Sequence, residues 1–447
     1  MTAKIAKKAP KKTAAPKKAP VKKDAVKAEP KAPATKKPYT FAKSKELFLR
    51  AAKVIPGAIY GHQSPVLTVP GSFPYYAAKA QGPYYWDVDG NKFIDYMCGY
   101  GPMITGYNNP VVDAAARAEQ ANGDCYNHPT GRMVELAEFL TDLIPFADWA
   151  VFAKNGSDVT TWATLVAREA TGRKKIVMCK GEYHGAHAWC TPGHGGLLDE
   201  DRAQMLYYKW NDLAGLRTLF DRYPDQIAGV IMTPFHHPTY ADLELPAPGF
   251  WQGVQKLCND KGAVLILDDV RCGFRLSVKG SQDYFGFEPD ISCYCKAIAN
   301  GYVLSAAVGR DSLKGAAANV FLTGSYWNGA VPMAAALANI KLLQKENGVA
   351  HMFKMGELLM NGLVERGKAF GYEMIASGPT TIPFIHFGNE TNFMRMQSWA
   401  AQMTVRGHFC HPSHNWFISA AHKPEDIAAT LDAAEEAFKV VKKEYGD

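Results

Sequence analysis

Short continuous apolar runs recur along the chain at 149–153, 175–179, 227–232, 263–267, 291–295 and 305–309. Runs of this length predict strands buried on both faces. Between them the spacing changes to three and four. Val159, Trp162, Val166 and Ala170 fall on one helical face ended by Gly172, and Trp251, Val254 and Leu257 or Cys258 do likewise before Gly262. Both stripes are predicted to face the core. Strand and helix alternation of this kind predicts an α/β fold with a mostly parallel sheet wrapped by helices. Before that region, 44–54 is predicted to be a short amphipathic helix stopped by Pro56-Gly57, and Tyr84-Tyr-Trp-Asp-Val-Asp-Gly-Asn-Lys-Phe-Ile-Asp-Tyr96 reads as a hairpin turning at Asp89-Gly90. After it, Ile427, Leu431, Ala434, Phe438 and Val441 share one face of a closing helix over 424–444.

The first 38 residues break the pattern. They hold thirteen lysines and six prolines against Asp24 and Glu29, a net +11, so the chain's overall +7 leaves −4 for the remainder. With almost nothing to bury, this segment is expected to be disordered. A salt-sensitive attraction to nucleic acid through the tail is one expectation, and a solubilising extension is the other. The body shows no basic stripe to read a groove. Elsewhere, 47% hydrophobic residues over 447 positions supply a large core. No run of about 18 apolar residues suggests a membrane span, no secretory signal is evident, and the lysine tail lacks the arginines of a mitochondrial presequence, so a cytoplasmic location is expected. Nine cysteines, an odd number without CxxC pairs, predict reduced thiols and no metal site.

Chemistry gathers at the strand ends. Lys296 closes Ile291-Ser-Cys-Tyr-Cys295 and opens a small-residue loop; burial there would lower its pKa toward the neutral amine that attacks carbonyls. Asp268 ends Leu265-Ile-Leu-Asp-Asp269, 28 residues upstream. Ligands of open α/β sheets bind at such ends, and a pyridoxal phosphate site needs a lysine for the Schiff base and a carboxylate for the ring nitrogen. Lys154-Asn-Gly-Ser-Asp158 joins a strand to a helix whose N-terminus suits a phosphate, although such a turn also serves plain capping. Tyr183-His184-Gly185 offers a ring to stack on a planar cofactor and an imidazole to hydrogen-bond.

With these residues together, the chain resembles the class III, fold type I pyridoxal-phosphate aminotransferases, in the branch that includes glutamate-1-semialdehyde 2,1-aminomutase. The resemblance covers about residues 40–445 and is carried by Tyr85–Tyr96, Gly101-Pro-Met103, Asn155-Gly-Ser157, Tyr183-His-Gly185, Leu267-Asp-Asp-Val270 with Gly273-Phe-Arg275, Lys296, Thr323-Gly-Ser325, Pro332-Met333 and His411-Pro-Ser413. It implies an internal aldimine at Lys296 and pyridoxal 5'-phosphate as cofactor, with the ring nitrogen at Asp268, the phosphate on Asn155, Gly156 and Ser157, Tyr183 on the ring with His184 beside it, and Ser325 reaching the phosphate of a neighbouring subunit. A homodimer with shared active sites follows from that last role. The implied organisation is a tail over 1–38, a small-domain segment over 39–108, a large cofactor domain over 109–335, and a C-terminal part of the small α+β domain over 336–447. The implied activity moves an amino group between an amino acid, amine or amino sugar donor and a keto acceptor; an intramolecular amino shift or an epimerisation is the alternative.

The chain departs from the pattern in places. Leu67 stands where the aminomutase carries a carboxylate-holding arginine. Thr233-Pro234 replaces a Glu-Pro, His236 or His237 replaces an asparagine near the cofactor's phenolic oxygen, and Asp269 replaces a glutamate. Tyr60, His62, Tyr100, His236, His237 and Trp327 are the candidate substrate contacts, and an aminotransferase is favoured over the mutase.

Overall fold

In the computed structural model, residues 39–64 and 76–446 are described, the His62 side chain excepted. The expected disorder of the tail at 1–38, the Leu67 position and the His62 ring therefore lie outside the described residues.

The apolar runs pair into a seven-stranded sheet in the order Trp149–Ala153, Ser305–Gly309, Ile291–Tyr294, Val264–Asp268, Ile227–Met232, Lys175–Cys179, Met205–Tyr208. Ser305–Gly309 runs antiparallel to both neighbours, and the remaining pairs are parallel. Every residue of Ile227–Met232, Val264–Asp268, Ile291–Tyr294 and Ser305–Gly309 is buried, which explains why these strands read as unbroken apolar runs instead of alternating ones. Two boundaries differ from the sequence reading. The run expected at 263–267 is shifted to Val264–Asp268, since Asp268 still pairs with Cys293 in the ladder. The run expected at 291–295 stops at Tyr294, where the chain turns to present Lys296.

Helices cover the sheet. Gly156–Thr171 lays Val159, Trp162 and Val166 into the core, whereas Ala170 is exposed because it stands in the last turn before the left-handed Gly172. Phe250–Lys261 buries Trp251, Val254, Leu257 and Cys258 as expected. A separate four-stranded sheet joins the two ends of the described chain. Ala77–Gln81, Tyr84–Asp87 and Lys92–Asp95 form an antiparallel meander through the Asp89-Gly90 turn, and His408–Phe409 adds in parallel to Lys92–Asp95. Pro424–Tyr445 packs Ile427, Ala434, Phe438 and Val441 inward with Leu431 half-buried, and the first helix spans Ala42–Ala51. Among the described residues no helix is long and apolar enough to cross a membrane.

Candidate active site

The carboxyl ends of the central strands surround a cavity of about 510 Å3 lined by Asn155, Gly156, Ser157, Tyr183, His184, His237, Asp268, Arg271 and Lys296, among others. Lys296 reaches it through a turn with unusual backbone. Its φ of 46° lies in the left-handed region, a conformation that costs a residue with a Cβ roughly 1–2 kcal/mol. Buried amides hold the turn in place. Asn339 Nδ2 donates to the carbonyls of Ala297 (2.8 Å) and Ile298 (3.1 Å), and Asn300 bridges to the Thr105 N–H (2.9 Å) and the Gly106 carbonyl (2.8 Å). Burial, followed by the nearby Arg271 guanidinium, lowers the Lys296 ammonium to about 8. Far more of it than of a solvated lysine is thus the neutral, nucleophilic amine near neutral pH.

Asp268 is 4% exposed. Its Oδ1 accepts the Val270 N–H at 3.1 Å and its Oδ2 lies 2.7 Å from His184 Nδ1. The opposite ring nitrogen, His184 Nε2, faces Glu182 Oε2 at 3.3 Å, close enough for charge attraction although the two are not aligned as a hydrogen bond. Glu182 is anchored in turn through Oε1, which accepts from the Thr233 N–H (3.2 Å) and hydroxyl (2.5 Å). Burial works against charge on His184, yet the interactions with Asp268 and Glu182 outweigh it and carry the imidazole up to about 9. The result is a protonated histidine between two buried carboxylates, with Asp268 aimed into the cavity. Asp269 turns the other way: Ser281 donates to it through N–H (2.8 Å) and hydroxyl (2.5 Å), while burial raises its carboxyl to about 7.

At the far end, the helix Gly156–Thr171 points its first turn at the cavity. Asp158 Oδ2 accepts the Asn155 N–H at 2.7 Å, and the Ser157 hydroxyl oxygen accepts from the Ala186 N–H at 3.0 Å, leaving the hydroxyl proton to donate elsewhere. The backbone is drawn tight here. A Cβ on Gly156 would stand 2.8 Å from Val270 Cγ1, and one on Gly185, whose φ is +134°, would stand 2.4 Å from Ser157 Oγ. Helix N–H groups, a hydroxyl and close loop backbone make a cradle suited to a phosphate.

Tyr183 is half-buried and lines both this cavity and an adjoining one of about 420 Å3. The alternatives at 236 and 237 separate in space. His237 is buried and lines both cavities, whereas His236 pairs its backbone with Glu244 and stacks its ring on Trp210 at 6.0 Å. Tyr60 and Tyr100 line a third cavity beside the small sheet, of about 470 Å3. Tyr100 also stands edge-on to His414, which belongs to the wall of the second cavity. Trp327 packs on the core formed by Trp149, Trp162 and their neighbours, and Ser325 is exposed on the same loop; neither lines the cavity of about 510 Å3. Glu182 and Arg271 escaped the sequence reading. Each directly borders a noted motif, Glu182 before Tyr183 and Arg271 after Val270, but nothing in composition marks a neighbour as buried and inward.

A lysine near 8, a buried carboxylate and a helix N-terminus on one cavity fit a ligand with a carbonyl, a basic ring nitrogen and a phosphate. Comparison with known proteins agrees with that chemistry. The family model described as "Aminotransferase class-III" matches residues 68–377. The chain is 41% identical over 403 residues to an aminopentol aminotransferase of Sphingopyxis macrogoltabida, covering 90% of this chain and 95% of that one. It is 32% identical over 418 residues to a 3-aminobutyryl-CoA aminotransferase of Cloacimonas acidaminovorans, covering 90% and 98%. Among solved structures, the pyridoxal-phosphate internal aldimine form of the Sphingopyxis sp. MTA144 FumI protein superimposes with a TM-score of 0.89 at 40% identity, covering 91% and 98%.

Proposed function

The chain belongs to the class III aminotransferases, and on that footing we propose that Lys296 carries the pyridoxal 5'-phosphate of this transaminase, with Asp268 at its ring nitrogen. When bound, the cofactor supplies an aldehyde that condenses with amines and a ring that takes up electrons. The chain's residues do the rest. Lys296 Nζ, more readily neutral at its value of about 8 than a solvated lysine, holds the carbonyl and then moves the proton at the carbon bearing the amine. Asp268, oriented by His184, accepts the ring N–H. The N–H groups of the Gly156–Thr171 helix and the Ser157 hydroxyl hold the phosphate. Tyr183 covers the ring and excludes water. The one observation that carries this reading is the convergence of all four groups on a single cavity.

Two relatives act, by name, on an aminopentol and on a 3-aminobutyryl thioester. We therefore place the donor among primary amines whose amino carbon does not bear a free carboxylate. Ser325, exposed with Phe321 and Tyr326 on one loop, is assigned to the phosphate of a partner subunit, which makes the working unit a homodimer. Borohydride should abolish the visible band of the purified enzyme and leave a phosphopyridoxyl mass on the peptide holding Lys296; a label on any other lysine overturns the assignment. An external 2-oxo acid should be required for turnover, and a mutase would proceed without it.

A further inference from the structure

Arg271 and His237 line both the proposed cofactor cavity and the adjoining one. The Arg271 guanidinium carries five N–H donors. Among the described residues its one hydrogen bond goes from Nη1 to Asn415 Oδ1, at 2.6 Å. No carboxylate forms an ion pair with it there, and burial depresses its pKa. His237 is 6% exposed, with neither ring nitrogen bonded to a protein partner. The Phe235 ring meets it edge-on at 5.6 Å, and burial followed by Arg271 lowers its pKa and favours the uncharged ring. A half-buried cation with donors to spare, next to a buried imidazole with unsatisfied nitrogens, presents charge and hydrogen-bonding groups that an anion can take up. A planar carboxylate matches the fork of a guanidinium. The lysine proposed to react with carbonyls lines the same cavity.

We propose that Arg271, backed by Asn415 and joined by His237, is the carboxylate anchor of this active site and selects 2-oxo acids as amino acceptors. The inference rests on the transaminase reading above and deepens it. The site takes over the task of the arginine that Leu67 does not provide. Arg271 and His237 line both cavities and Lys296 lines one of them, so a 2-oxo acid held by its carboxylate can turn its carbonyl toward the lysine.

The test compares pyruvate with propanal, an uncharged carbonyl of the same length, as acceptors for the pyridoxamine-phosphate-loaded enzyme. In Arg271→Gln the preference for pyruvate over propanal should fall about 100-fold, since the charged recognition is lost while the rest of the site is shared. Arg271→Lys keeps the charge without the fork and should fall about tenfold. Propionate, an unreactive carboxylate, should lose affinity by a similar factor in calorimetry of the purified protein, which reports on Arg271 whether or not transamination occurs. An unchanged pyruvate-to-propanal ratio together with unchanged propionate binding overturns the anchor. A wild-type protein that binds propionate through Arg271 but transfers no amino group to either acceptor would instead overturn the transaminase reading.

Discussion

At the scale of single residues, the site works by moving two protonation equilibria in opposite directions. Lys296 is lowered to about 8 because burial and Arg271 disfavour its charge. Capture of free pyridoxal phosphate by the apo-protein needs the neutral amine, so its rate should climb with pH and level off above about 8, as followed by the visible band of the bound cofactor. A rate still climbing tenfold per unit beyond pH 9 would mean an ordinary solvated lysine near the usual 10.4. His184 is raised to about 9 by Asp268 and Glu182 in spite of burial. A raised histidine stabilises the fold fully below its ordinary value of about 6.5, and the contribution is lost as pH rises through about 9. Glu182→Gln removes one of the two charges while an amide oxygen can still accept from Thr233. Its expected effects are a lower His184 midpoint by NMR and a stability loss of about 1–3 kcal/mol. A midpoint that stays put would assign Glu182 to packing alone.

At the scale of elements, the sequence made the strand ends readable and the contacts between them unreadable. Lys296 and Asp268 were visible because each follows or ends an apolar run of the kind buried parallel strands leave, and the Asn155-Gly-Ser157 turn because it follows the apolar edge strand Trp149–Ala153. Met205–Tyr208 left none, since it is an edge strand with only its first and last residues buried. The placing of His237 inside and His236 outside depends on the Glu244 bridge and Trp210, both remote in sequence or register from the strand that carries them. Tyr60 and Trp327 looked suitable by residue type alone, yet packing sends one to another cavity and the other to the core. The tightness of the phosphate cradle was equally hidden, and it yields a prediction. In Gly185→Ala the new methyl meets Ser157 Oγ at 2.4 Å with φ at +134°, so the two loops must separate. A displacement of about 1 Å at such a site weakens function by roughly 100-fold. Cofactor affinity, measured by titrating apo-protein, should fall on that scale while the far-ultraviolet circular dichroism stays native-like; unchanged affinity would show that the cradle does not hold the phosphate.

At the scale of the whole molecule, the proposed dimer makes each site a joint product of two chains, and this has a consequence that a site built from one chain cannot share. Ser325 stands on a loop that also exposes Phe321 at 85% and Tyr326 at 64%, apolar surface that a second copy would cover. Consider two inactive variants. Lys296→Ala lacks the amine in its own site, and Ser325→Glu places a negative charge against the phosphate in its partner's site. Either homodimer is dead. In a mixed dimer, however, the subunit with intact Lys296 receives the unaltered Ser325 of the other, so one of its two sites is complete. Random exchange makes half of the dimers mixed, and activity should return to about a quarter of the wild-type level on mixing the two after mild dissociation. If Ser325 acted on its own chain's phosphate, that same subunit would carry both an intact lysine and the blocking charge, and mixing would restore nothing. Subunit exchange followed by native mass spectrometry verifies that mixed dimers form, so an absence of recovery would count against the shared site and not against the exchange.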